Sequence, residues 1–147
     1  RFSDAIHLLS FIHIYKGQIS LSSETIAGSI ETSPVMVRKL MGELRRAGLI
    51  ETTHGTPDPK LAKATDQISL LDVYLAVEKD KPLFQIDYKT NPDCIVGGNI
   101  QETLKEYYNQ AEVASKAKLN SIKLSDVIDT ILVKQKEKEA FKRQTEQ

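Results

Sequence analysis

Apolar residues recur at three- and four-residue intervals along most of the chain, interrupted by one short β-branched run near residue 50. That periodicity predicts amphipathic helices around a single two-stranded element. The first window places Ala5, Ile6, Leu9 and Ile12 on one stripe with His13 at its edge, Ser3-Asp4 as cap and first turn, and Lys16-Gly17 as its close. A short extended link, Gln18-Ile19-Ser20-Leu21, leads to a capped helix over 22–30 with Ile26, Ala27 and Ile30 facing inward. Glu31-Thr32 leaves room for no more than a tight turn before Ser33, a natural N-cap, and Pro34, which suits the first helical position because its missing N–H costs nothing there. In the helix that follows, Val37, Leu40, Met41, Leu44 and Ala47 form the inner stripe. At about 100° per residue, Val35, Arg38, Lys39, Gly42, Arg45 and Arg46 fan across the other side. Gly48 ends it.

Leu49-Ile50-Glu51-Thr52-Thr53 then reads as a strand, His54-Gly55-Thr56-Pro57-Asp58-Pro59 as a turn, and Lys60-Leu61-Ala62 as a returning strand, so 49–62 is a hairpin directly after that helix. Ser69-Leu70-Leu71-Asp72 has capping-box spacing and opens a helix with Leu70, Leu71, Val73, Tyr74 and Val77, expected to pack on the first. Over 79–98 the pattern dissolves into turn formers around Cys94. Asn99 is expected to cap a long helix to about Leu119 with a narrow seam of Ile100, Leu104, Tyr107, Tyr108, Ala111 and Ala114, the kind of seam that meets another helix closely. A last helix from about Leu124 carries Val127, Ile128, Ile131 and Leu132 and runs into a polar tail, 134–147, expected to fray.

The architecture predicted is mainly α with a small β-wing: a winged helix-turn-helix over 1–78, a connecting or sensor loop over 79–98, and dimerisation helices with a polar tail over 99–147. The 33–47 helix shows four cations and one carboxylate, Glu43, with short side chains between, which suits the major groove of double-stranded DNA. Candidate contacts are Ser23 and Thr25 on the supporting helix, Ser33, Pro34, Val35, Met36, Arg38 and Lys39 at the entering end, Arg45 and Arg46 at the exit, and His54, Thr56 and Lys60 on the wing. Net charge is zero, but the first 65 residues hold eight Lys/Arg against six Asp/Glu and the remainder twelve against fourteen, an asymmetry of the sign expected for DNA at the N-terminal part. No apolar run is long enough for a membrane span and no signal-peptide pattern occurs, so a cytoplasmic protein is expected, and since the chain opens on Arg1 a terminal residue or two is expected before it.

Nothing in the chain points to catalysis: it has no glycine-rich phosphate loop and no nucleophile–base order near turn signals. His7 and His13 lie six apart, off a shared face, and no Cys or carboxylate cluster joins them, so neither metal nor cofactor is expected. The lone Cys94 excludes an internal disulfide. It is a candidate sensor thiol, with a helix N-terminus after it that lowers a thiol pKa and Asp93 opposing that; the alternative is a half-buried cysteine filling space beneath the long helix.

These elements, in this order, resemble the Rrf-two family of bacterial winged-helix regulators over nearly the whole chain. The resemblance is carried by Ile26-Ala27, the Leu44-Arg45-Arg46-Ala47-Gly48-Leu49-Ile50 junction, Leu61-Ala62-Lys63 and Ile68-Ser69-Leu70-Leu71-Asp72-Val73. It implies a homodimeric transcription factor, usually a repressor, on an imperfect palindrome. Two departures stand out. The family wing usually carries paired glycines and a tyrosine where this chain has Thr56-Pro57-Asp58-Pro59. Relatives with an iron–sulfur cluster carry three cysteines at five-residue gaps, where this chain has Cys94, Ile100 and Glu106, so it is more similar to the members without a cluster. Two other classes remain open: a winged-helix module for protein interaction without DNA, and a sensor of a small-molecule effector or of thiol chemistry whose output is DNA release.

Overall fold

The computed structural model describes residues 1–53, 58–79 and 81–146. Six helices, α1 (Phe2–Tyr15), α2 (Ser23–Ile30), α3 (Pro34–Arg46), α4 (Leu70–Glu78), α5 (Ile100–Ser121) and α6 (Leu124–Thr145), accompany two strands, β1 (Ile50–Glu51) and β2 (Lys60–Leu61). A 3₁₀ turn over Thr65–Gln67 leads from the hairpin to α4. The strands pair antiparallel with Ile50 opposite Leu61 and Glu51 opposite Lys60.

Most helix boundaries follow from local chemistry. Ser22 Oγ accepts from the Thr25 amide at 3.2 Å, and Ser33 Oγ from the Met36 amide at 3.1 Å with Pro34 at the first position. Ser69 and Asp72 form the reciprocal box, at 3.0 and 2.9 Å. Gly48, at φ 75°, ends α3 in the left-handed conformation that glycine adopts without strain. Glu31 ends α2 at φ 62°, a conformation costing a non-glycine residue about 1 kcal/mol. Its backbone N–H donates to the Ala27 carbonyl, which closes the helix before the turn into α3.

The core joins Ala5, Leu8, Leu9 and Ile12 of α1 to Ile26 and Ala27 of α2, Val37, Leu40 and Leu44 of α3, and Val73 and Val77 of α4, with Leu49 and Ile50 closing one end. α1 is covered by α2, α4 and α6. Its buried arc is therefore wider than the expected stripe: Leu8 and Ser10 are inside, Ile6 is half-buried and His13 is exposed. Ser10 tolerates burial because its hydroxyl donates to the Ile6 carbonyl at 2.8 Å. α4 packs on α1 as expected, with Phe2 and Tyr74 edge to face at 5.4 Å.

Two expectations about the C-terminal third are corrected. Asn99 does not cap α5; its side-chain amide donates to the Ile95 carbonyl instead. α6 also contributes to the main core, where Leu124 and Ile128 lie. The α5–α6 junction is stitched to the start of α4 by Leu70 N–H to Ile122 O at 2.9 Å and Leu124 N–H to Ile68 O at 2.8 Å. Finally, the polar tail continues as regular helix to Thr145. None of the described helices is long and apolar enough to cross a membrane.

Candidate nucleic-acid interface

α2 and α3, joined by Glu31, Thr32 and Ser33, form a helix-turn-helix, and the hairpin follows α3 immediately. Packing of α3 on α1, α2 and α4 decides which side stays open. Val35, Arg38, Lys39, Arg45 and Arg46 are exposed, Val35 to 67%. Ser33 is exposed and Pro34 half-buried. Met36 differs from expectation, being half-buried and packed against the core. So does Ala47, expected inside and found exposed at the end of the helix.

Glu43 is the larger correction. Expected among the cations on the outer face, it is 5% exposed and ion-paired with Arg1 at the start of α1, while its Oε2 has no partner. The open face of α3 therefore carries four cations and no carboxylate of its own. Gly42, expected outside, is covered by the two arginines that follow it. A methyl at Gly42 would lie 3.4 Å from Arg46 Nη1 and 3.9 Å from Arg45 Nη2, so both guanidinium groups reach back over one spot on the helix. Two like charges over one spot, with no acid beside them, favour an anion.

Around α3 the supporting elements are tied down. Thr25 is half-buried with its hydroxyl 2.9 Å from that of Ser22, and Ser23 is half-buried beside it. Glu24 Oε1 lies 3.9 Å from Arg38 Nη1. On the wing, Lys60 is exposed and pairs with Glu51 at 3.8 Å, and Arg45 Nη1 donates to Thr52 Oγ1 at 3.1 Å. Asp58 Oδ1 accepts from the Leu21 amide at 3.0 Å, binding the returning strand to the link before α2. His54 and Thr56 lie outside the described residues. Sequence reasoning missed the roles of Asp58, Glu24 and Thr52. Asp58 stood in a run of turn formers, and its acceptor role spans 37 residues, which no local pattern carries.

The seam on α5 divides. Ile100, Leu104 and Tyr108 are half-buried, and Tyr108 meets Phe84 at 5.6 Å between ring centres. Tyr107, Ala111 and Ala114 are exposed. Glu112 accepts from the Leu83 amide at 2.7 Å, so the first part of the 79–98 segment is laid along α5, leaving a hollow of about 430 Å³ between Phe84, Tyr88, Lys105 and Tyr108. Cys94 is exposed rather than tucked beneath the helix. The amides of Gly97 and, less strongly, Val96 hold its thiol below the usual range. That loop is tight: a side chain at Gly97 would fall 2.2 Å from the Asn91 carbonyl oxygen, and Thr90 Oγ1 donates to the Gly97 carbonyl at 2.7 Å. His7 Nε2 lies 2.7 Å from Ser29 Oγ.

The family model described as Rrf2, iron-dependent transcriptional regulator, matches residues 1–130. A protein of Bacillus subtilis (strain 168) described as an HTH-type transcriptional regulator, YwnA, is 39% identical over 129 residues, covering 88% of this chain and 95% of its own length. Among solved structures, one described as a DNA-binding protein is 37% identical with a TM-score of 0.70, covering 86% of this chain and 97% of its own. CymR, the global cysteine regulator of B. subtilis, shares the fold with a TM-score of 0.62 at 20% identity, covering 87% of this chain and 92% of its own. The iron in the family's description meets a poor donor set here. An iron–sulfur cluster takes several thiolates, and Cys94 is the chain's single cysteine. Among the described residues, no three His, Cys, Asp or Glu side chains are grouped to hold a metal. The helix-turn-helix, its hairpin and the 1–130 match agree: the chain belongs to the Rrf2 (Rrf-two) family and is a DNA-binding transcription regulator, not an enzyme.

Proposed function

We propose that this regulator works in the cytoplasm as a homodimeric repressor on an inverted-repeat operator. Residues 1–78 would hold DNA, 79–98 connect, and 99–147 dimerise, with α6 also serving the core. The observation that carries the reading is the outer face of α3, where Arg38, Lys39, Arg45 and Arg46 stand exposed while the helix's own carboxylate is withdrawn to Arg1. In this reading Val35, Arg38 and Lys39 meet base edges at the entering end, with Ser23, Thr25, Ser33 and Pro34 near the backbone. Arg45 and Arg46 hold phosphate, and Lys60 reaches the backbone beside the groove. The dimer is supported by α5, a 22-residue helix with no buried residue, whose seam of Tyr107, Ala111 and Ala114 faces solvent. An effector, if one is sensed, would enter the hollow between Phe84 and Tyr108 or act at Cys94.

The test separates reading from holding. With the operator selected from random duplex DNA, Arg38→Ala is expected to cost about 1–3 kcal/mol on the operator and relax the preference at one position. Arg46→Ala is expected to weaken all sequences alike and flatten the salt dependence by about one unit per subunit. Unchanged operator affinity in both variants would refute the assignment of α3.

A further inference from the structure

The supporting helix carries an exposed carboxylate beside α3. Glu24 stands in the first turn of α2 with its Oε1 3.9 Å from Nη1 of Arg38, and the two side chains are 72% and 56% exposed. An ion pair this open contributes little to folding. On a phosphate-seeking surface it also has a cost, since the carboxylate repels DNA and neutralises the cation nearest the base-reading end of α3. Among the described residues, Lys39, Arg45 and Arg46 have no acidic partner.

We propose that Glu24 sets the selectivity of DNA reading by buttressing Arg38, a role that rests on α3 being the base-reading helix. Glu24 Oε1 approaches Arg38 at Nη1 from 3.9 Å, beyond hydrogen-bond reach, so the attraction is electrostatic and leaves the guanidinium's Nε and Nη2 donors free for the paired acceptors O6 and N7 of a guanine. The nearby carboxylate biases Arg38 against swinging to the nearest phosphate, where it would add affinity for any sequence. The carboxylate penalises complexes in which Arg38 has no base to pair with, so wrong sites are weakened more than the right one. Glu24 is thus a positioning residue, acting through Arg38. A first-turn glutamate also suits the helix dipole, but that role touches stability alone.

Affinities of the wild type, Glu24→Gln, Arg38→Ala and the double variant are measured at one salt concentration on the selected operator, on operators with single base-pair changes and on a scrambled duplex of equal length, with thermal midpoints recorded for each. Glu24→Gln is expected to tighten binding to the scrambled duplex about three- to tenfold and to change operator binding less than twofold, so that the ratio of specific to non-specific affinity falls severalfold. The base position that loses preference should be the one that Arg38→Ala also relaxes, and adding Glu24→Gln to Arg38→Ala should alter no preference further. Equal factors on both duplexes, or the same change of preference with Arg38 absent, would overturn the proposal. An Arg38→Ala variant with full operator preference would overturn it by removing the reading of α3 itself.

Discussion

At the scale of single residues, burial decides what a charge does. Glu43 and Arg38 lie five positions apart on one helix, and the sequence counts both among the charges that helix shows. Rotation of α3 in its packed seat put Glu43 against Arg1 with one oxygen unpartnered. A buried carboxylate in that condition is weak support for stability, because desolvation offsets most of the ion-pair attraction. Glu43→Met is therefore expected to leave the free energy of unfolding unchanged or raise it by up to about 2 kcal/mol, whereas Glu43→Ala, which also opens a cavity, should lower it by about 1–3 kcal/mol. Urea denaturation checks both. Cys94 shows the opposite environment, exposed and ringed by amides that favour its thiolate. A thiol whose pKa lies below its ordinary value reacts as thiolate at lower pH, so alkylation of native protein by iodoacetamide should reach half its maximal rate below the usual midpoint of about 8.5. The denatured chain should show the usual midpoint, and identical native and denatured profiles would refute it.

At the scale of elements, helix starts were legible and strand anchoring was not. Ser22, Ser33 and the Ser69-Asp72 pair act through amides three residues away, so spacing alone reveals them. Asn99 failed as a cap because the loop ahead of α5 brings the Ile95 carbonyl within reach of its amide, a contact set by loop path. The wing was recognisable from β-branched residues and turn formers, yet with strands of two residues it depends on ties from outside. Asp58 supplies one by accepting from the Leu21 amide. Asp58→Ala should cost about 0.5–1.5 kcal/mol of stability and weaken operator binding severalfold while leaving base preferences intact. A changed preference in that variant would mean that the wing, rather than α3, reads the sequence.

At the scale of the whole molecule, the open question is what covers α5. Its exposed seam alternates at four and three residues through Tyr107, Ala111 and Ala114, and Val113 beside it is 61% exposed. A second copy packed there by a twofold axis would set the two α3 helices roughly 34 Å apart, one turn of DNA. Sedimentation at micromolar protein should show a dimer, and Ala111→Glu should yield monomer with operator binding strongly reduced. A wild-type monomer independent of concentration would sink the dimer.

From sequence alone came the helix periods, the caps, the order of helix-turn-helix and hairpin, the cations of α3 and the single cysteine, since each depends on neighbours within a turn or two of helix. Tertiary structure decided the rest: that Glu43 turns inward, that Glu24 meets Arg38, and that α6 returns to bury Leu124 and Ile128 in the core. Those outcomes depend on how far each helix rotates as it packs and on contacts between residues distant in the chain. Hydrophobic periodicity says which side of a helix is buried, but leaves the edges of that side, where Glu43 falls, to the helices packed against it.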